Sequence, residues 1–253
     1  MGSCYGGIRA LLTKEGVKMK YAAALIFSIL ISGCYHQSSA LYRPGMLKEK
    51  AYIANHNASV QLVYYTGEGP RSSTSGVVVN KKHGLVLTVA HGVSADTKFI
   101  IVKSPPGVED EDNIPARVIV LEHSADLAVV YVDPEVAEFQ YEATVFSGTS
   151  KEIEHEPVYL VSYPLGILNH VTTFGYIIGL FPGSVLGIVP HLTVDIWAQP
   201  GSSGGGLFLQ NSHRLIGLTR VYMGGASRYP TFFFITPEQI RSFLEKNNIE
   251  YRK

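Results

Sequence analysis

From about residue 58 onward the chain repeats one pattern: a short run of apolar and β-branched residues, then a break of Gly, Pro, Asn or Asp. The runs include GVVVN (76–80), GLVLTVA (84–90), FIIV (99–102), ARVIVLE (116–122), LAVVYV (127–132) and VYLVSY (158–163). GYIIGLF (175–181), LTVDIWA (192–198), GLFL (206–209), LIGLTRVYM (215–223) and TFFFI (231–235) follow. Many runs of strand length with turn signals between them predict an all-β sandwich or barrel. The period changes at the end. Thr236 suits an N-cap, Pro237 suits the first helical position and Gln239 completes a capping box. Ile240, Phe243 and Leu244 then fall at i, i+3 and i+4, a stripe that predicts a helix docked on the barrel. The expectation is strands first and one helix last, in one domain or two small β-subdomains.

Upstream the pattern differs. Residues 19–34, MKYAAALIFSILISGC, have a basic start at Lys20 and an apolar run from Tyr21 to Ser32. That run is short for a membrane-spanning helix and right for the apolar stretch of a signal peptide. It ends in Ile31-Ser32-Gly33-Cys34, which resembles a bacterial lipobox, whose cysteine sulfur receives diacylglycerol. An uncleaved anchor helix is the alternative. Both readings set the domain outside the cytoplasm and against a membrane. Asp after the lipid cysteine favours the inner membrane, so Tyr35 favours the outer. Residues 1–18 do not suit a signal peptide, and codons for Lys14-Glu15-Gly16 can supply a ribosome-binding sequence ahead of Met19. The expected organisation is an upstream extension (1–18), a signal peptide (19–33), a polar tether (34–57) and one domain (58–253).

Composition narrows the chemistry. The chain has 253 residues, 46% of them hydrophobic and 17% charged, so it can bury a real core. Lys plus Arg equals Asp plus Glu at 21 each, and no basic block exists to attract nucleic acid. The two cysteines, Cys4 and Cys34, both precede the body, so no disulfide framework holds it. Nine histidines are present, but no metal-binding spacing, and no phosphate or dinucleotide loop occurs. No metal and no cofactor are expected.

QPGSSGGGLF (199–208) is either a flexible Gly/Ser linker or a G-x-S-G-G loop carrying a serine nucleophile. A serine nucleophile needs a base, and the base needs an orienting carboxylate. His91 closes the apolar run that starts at Gly84, and Asp126 opens the run 127–132. Each polar group therefore sits at the edge of a buried element, held rigidly yet able to face a cleft. Taken singly, each suits a turn or cap. Together the order His91, Asp126, Ser203 is one of the chain orders of the catalytic triad.

These motifs resemble those of trypsin-like serine proteases, most of all the HtrA/Deg branch. Residues 84–91, GLVLTVAH, resemble G-x-I-L-T-x-x-H. Residues 124–129, SADLAV, are similar to x-x-D-L-A-V/L. Tyr163-Pro-Leu-Gly166 with Val171 to Gly179 resembles N-P-x-G … V-T-x-G-x-I/V-S. Residues 194–205 resemble T-D-A-A-I-N-P-G-N-S-G-G, and Leu215-Ile-Gly-Leu and Phe234-Ile-Thr-Pro237 match two later strands. The likeness spans about Ala58 to Lys246. It implies two six-stranded antiparallel β-barrels with a C-terminal helix. It also implies peptide-bond hydrolysis of protein or peptide substrates by His91, Asp126 and Ser203, with backbone N–H groups of Gly201 and Ser203 as the oxyanion hole. Trp197, six residues before the serine, falls at the base of the S1 pocket, where it offers no countercharge to a basic P1 residue; core packing is its other reading. The chain departs from the pattern at Ser202, where the branch has Asn, and at Gly206, where it has Pro. The likeness ends soon after the helix, so the PDZ domain common in that branch is not expected. Trypsin-like zymogens carry Asp at the position of Ser202, so no N-terminal ammonium can pair there, and a loop organised by its own hydrogen bonds is expected. Oligomeric state is not legible. A catalytically silent binding module on the same scaffold is the alternative.

Overall fold

Apolar runs with no polar alternation need covering on both faces, and two barrels laid side by side provide that. The computed structural model describes residues 45–65, 70–93, 98–102, 113–166, 170–183, 189–223 and 231–253. Barrel one comprises β1 (Ser59–Tyr65), β2 (Pro70–Asn80), β3 (Leu85–Thr88), β4 (Lys98–Val102), β5 (Asn113–Glu122) and β6 (Leu127–Val132). Barrel two comprises β7 (Pro157–Ser162), β8 (Val171–Phe181), β9 (His191–Asp195), β10 (Gly206–Leu209), β11 (Leu215–Met223) and β12 (Thr231–Ile235). Both sheets close, in the orders β1-β2-β3-β6-β5-β4 and β7-β8-β9-β12-β11-β10, with every neighbouring pair antiparallel. The two barrels thus share one topology. Register shifts at Val118/Val120 and Ile177/Gly179 mark bulges that tighten the curvature. This is the chymotrypsin-like, all-β architecture with a C-terminal helix that the motifs imply.

Val77, Val78 and Val79 show why the runs read as continuous. Val78 points into barrel one, beside Leu62, Val86, Val130 and Val132. Val77 and Val79 point outward into the seam between barrels, where they join Leu87, Val129, Tyr159, Phe208 and Leu218. All three valines are fully buried, and each contributes about 1.5–3 kcal/mol of burial. Barrel two has its own core around Val158, Leu160, Ile177, Leu192, Val194 and Phe234.

The last helix, Pro237–Lys246, has the expected caps: Thr236 Oγ1 accepts from Gln239 N–H, and the Gln239 side chain accepts from Thr236 N–H. Ile240, Phe243 and Leu244 close the seam. The segment expected to be a tether departs from expectation. A helix, α1 (Lys50–Ala58), packs there with Tyr52, Asn55 and Ala58 buried, and Met46 ahead of it is fully buried. Its apolar period is weak because its inner face is partly polar. Asn55 Nδ2 donates to Tyr159 Oη at 2.9 Å, and Tyr52 Oη donates to Thr172 Oγ1 at 3.1 Å. The α1 stretch is therefore docked structure. A short helix, α2 (Pro134–Ala137), follows β6, and Pro237–Lys246 is α3.

Candidate active site

His91 stands in a 3₁₀ turn, Ala90–Gly92, one residue beyond the end of β3. Asp126 ends the turn between β5 and β6 in the left-handed region, φ 56°, which aspartate tolerates better than most residues. Ala90 N–H donates to the Asp126 carbonyl at 3.1 Å, so the two turns are locked together. The His91 N–H donates to Asp126 Oδ1 at 2.8 Å, and its ring Nδ1 lies 2.9 Å from Oδ2 and 3.0 Å from Oδ1. On the far side of the ring, Nε2 is 3.1 Å from Ser203 Oγ. His91 and Asp126 come from barrel one and Ser203 from the loop before β10 of barrel two, so the three side chains meet across the seam. The Asp126 carboxyl is buried. Desolvation alone would push its pKa up, but hydrogen bonds from His91 and the charge of Arg220 outweigh that and hold it below its ordinary value. It therefore stays ionised beside the imidazole.

Most peptide groups of the loop 199–205 have identified partners. Leu165 N–H donates to the Pro200 carbonyl at 2.6 Å. Ser75 Oγ donates to the Gly201 carbonyl at 2.8 Å and accepts from Tyr163 N–H at 2.8 Å. The Ser202 carbonyl accepts from Gly205 N–H at 2.8 Å, and the Ser203 carbonyl accepts from Ser75 N–H at 2.8 Å and from Thr74 Oγ1. Ser202 N–H donates to Gln199 at 2.8 Å and Gly204 N–H to Thr219 at 2.8 Å. Two N–H groups, those of Gly201 and Ser203, make no such bond among the described residues. In a trans peptide the C=O and N–H point oppositely. Pinning the Pro200 carbonyl toward Leu165 thus turns Gly201 N–H the other way. That peptide orientation needs φ +94° at residue 201, and an added Cβ would lie 2.7 Å from the Tyr163 carbonyl, so glycine is required.

Ser202 is buried at 1% exposure. Its Oγ accepts from Gln199 N–H at 3.2 Å and from Ser162 Oγ at 3.1 Å. A neutral hydroxyl therefore ties this loop to Ser162 at the end of β7. Trp197 is half-buried on the way from β9 to this loop, its carbonyl held by Thr173 Oγ1 at 2.9 Å. Cys34 lies outside the described residues, among which no helix is long and apolar enough to cross a membrane. No group of three or more His, Cys, Asp or Glu among the described residues could hold a metal.

Three residues assigned no role from the sequence join this site, although Leu165 falls within the motif 163–166. Ser75 lies inside β2, Leu165 in a turn at φ 59°, and Arg220 inside β11. Arg220 Nε donates to Asp126 Oδ2 at 2.9 Å. Their roles arise from strand register across the seam, which one stretch of sequence does not display.

The trypsin-like peptidase domain model matches residues 74–218 of the chain. No curated protein matches it in sequence. Among solved structures, a serine endoprotease from Yersinia pestis superposes with TM-score 0.63 at 19% identity, covering 82% of this chain and 68% of that one. Rv3671c from M. tuberculosis, in an inactive serine-to-alanine form, superposes with TM-score 0.60 at 18% identity, covering 81% of this chain and 93% of that one. At these identities the two structures speak for the fold.

Proposed function

The chain belongs to the trypsin-like peptidase family, and from that we propose that it is a serine endopeptidase tethered to a bacterial membrane by lipid at Cys34. The observation that carries the catalytic reading is Ser203 Oγ at 3.1 Å from His91 Nε2, beside two backbone N–H groups that have no backbone acceptor among the described residues. Ser203 Oγ attacks the scissile carbonyl while His91 takes its proton and later delivers it to the leaving amine. Asp126 holds the Nδ1–H tautomer and balances the imidazolium. Gly201 and Ser203 N–H groups receive the developing oxyanion, where one donor typically contributes about 3–4 kcal/mol.

Two features support activity without prior cleavage. Ser202 bears no charge for a new ammonium to meet, and an unpaired buried ammonium costs several kcal/mol. The loop's carbonyls are already held by Leu165, Ser75 and Gly205. The domain, expressed behind an N-terminal fusion that cannot be trimmed, is expected to take one fluorophosphonate adduct, on Ser203, and to cleave a peptide library after Val or Ala in preference to Arg. The second part follows from Trp197, which offers no carboxylate to a buried P1 cation. An uncut protein that stays unlabelled, and labels only after a specific cut, would overturn the reading.

The anchor rests on Lys20, the run 21–32 and Ile31-Ser32-Gly33-Cys34. Translation from Met19 and lipidation at Cys34 go together. The native mature protein is expected to begin with a diacylated Cys34, and a mass that retains residues 1–18 would refute both.

A further inference from the structure

Asp126 does not serve His91 alone. Oδ2 lies 2.9 Å from the His91 ring nitrogen and also 2.9 Å from Nε of Arg220, whose side chain is only 17% exposed. The other end of the guanidinium is held as well: Nη1 donates to His191 Nε2. His191 is 2% exposed and stacks edge-on against Phe233. Burial first, and then the charge of Arg220, lower its pKa to about 4, against a bond to the Val189 backbone that acts the other way. The ring is therefore neutral at working pH, giving its Nδ1–H to Val189 and its Nε2 lone pair to Arg220. One line of bonds runs from β9 through His191, Arg220, Asp126 and His91 to Ser203.

Resting on the protease reading, we infer that Arg220 is a positioning residue of the triad, which fixes the Asp126 carboxylate through the oxygen it shares with His91 and sets the pH range in which His91 accepts a proton. Two physical effects follow. An Arg held at both ends cannot let the carboxylate rotate away from the imidazole. A permanent positive charge one carboxylate away from the ring opposes formation of a second positive charge on it. Of the charged and titratable groups in this line, only Asp126 is negative; Arg220 and, when protonated, His91 are positive, and His191 is neutral. Arg220 therefore extends activity toward lower pH and weakens the pull of Asp126 on the imidazolium.

The test is Arg220→Gln, with Arg220→Lys as the charge-preserving partner. Each is placed in the full chain and also in a Ser203→Ala background, where the His91 ring is titrated by NMR without turnover. The expected result is a midpoint about one pH unit higher in Arg220→Gln than in the parent and close to the parent in Arg220→Lys. The acid limb of kcat/KM in the active proteins moves by the same amount. If Arg220→Gln does not fold, Arg220→Met, neutral and of similar reach, replaces it. An unmoved midpoint overturns the inference, and so does a shift that Arg220→Lys shares, because the effect then belongs to packing rather than charge. Failure of the protease reading appears separately, as a parent protein that hydrolyses no peptide while its ring titration still responds to Arg220.

Discussion

Ser203→Ala is expected to lower kcat by on the order of 10⁴-fold or more and to leave stability nearly unchanged. The hydroxyl lies on a half-exposed residue and, among the described residues, its side-chain partner is His91 Nε2, so its removal strands no buried group. Ser202→Ala should show the opposite balance. Its hydroxyl is buried between Gln199 N–H and Ser162 Oγ, and losing an acceptor there costs about 1–3 kcal/mol. Most activity should remain, because the Ser203 hydroxyl and the N–H groups of Gly201 and Ser203, to which the proposed mechanism gives the chemistry, are intact. Initial rates on one peptide substrate, with urea unfolding of all three proteins, check both halves. A fluorophosphonate adduct mapped to Ser202 would show that the register of the nucleophile loop is wrong.

The second large effect is on stability. Gly204→Ala is expected to cost roughly 3 kcal/mol or more, out of a total on the order of 5–15 kcal/mol. Gly204 has φ +77°, and an ideal Cβ there would lie 2.1 Å from the Ser75 carbonyl oxygen and 2.5 Å from Thr88 Oγ1. Those two atoms are hydrogen-bonded to each other at 2.7 Å within barrel one. The methyl group would therefore force the barrels apart at the point where β2 grips Ser203. Left-handed backbone strain of about 1–2 kcal/mol adds to the clash. A fall in melting temperature of about 10 °C is expected. Gly179→Ala is the control, since among the described residues beyond its chain neighbours no atom lies within 4 Å of its added Cβ, and it should stay within about 1 kcal/mol of the parent. Thermal unfolding of both variants decides the matter; a Gly204→Ala protein as stable as the parent would mean that the nucleophile loop is not packed against β2.

The runs 76–80, 84–90, 127–132 and 206–209 were legible as strands because burial on both faces leaves no polar position to blur them. The capping box at Thr236 and the stripe Ile240, Phe243, Leu244 were legible for a related reason: their signals are local and repeat with the helix. Strand β1 and helix α1 were not singled out. In SVQLVYY (59–65) a buried Gln61 interrupts the apolar positions Val60 and Leu62. In α1 the inward face includes Asn55, whose burial is compensated by Tyr159 of barrel two. A polar residue satisfied by a partner 104 positions away carries no sign of that partner in its own neighbourhood.

The site divides in the same way. His91, Asp126 and Ser203 could be named from sequence because each sits in a short motif with its own neighbours: the end of an apolar run, the start of another, and a glycine-rich loop. Gly201 could be named because it falls at a glycine of the motif that residues 194–205 resemble, and the structure adds the reason, a left-handed backbone at φ +94°. What tertiary structure alone decided was the set of groups that hold these atoms in place. Ser75 bridges Tyr163 and Gly201, Leu165 turns the Pro200 peptide, and Arg220 shares Asp126 with His91. Each of these is a contact between strands or loops 35 to 126 positions apart. The sequence by itself determined which residues could do the chemistry, since that depends on functional groups and local backbone. Only the closing of two barrels against each other decided their distances, their charge environment and which peptide N–H groups were left without an acceptor, since those depend on register.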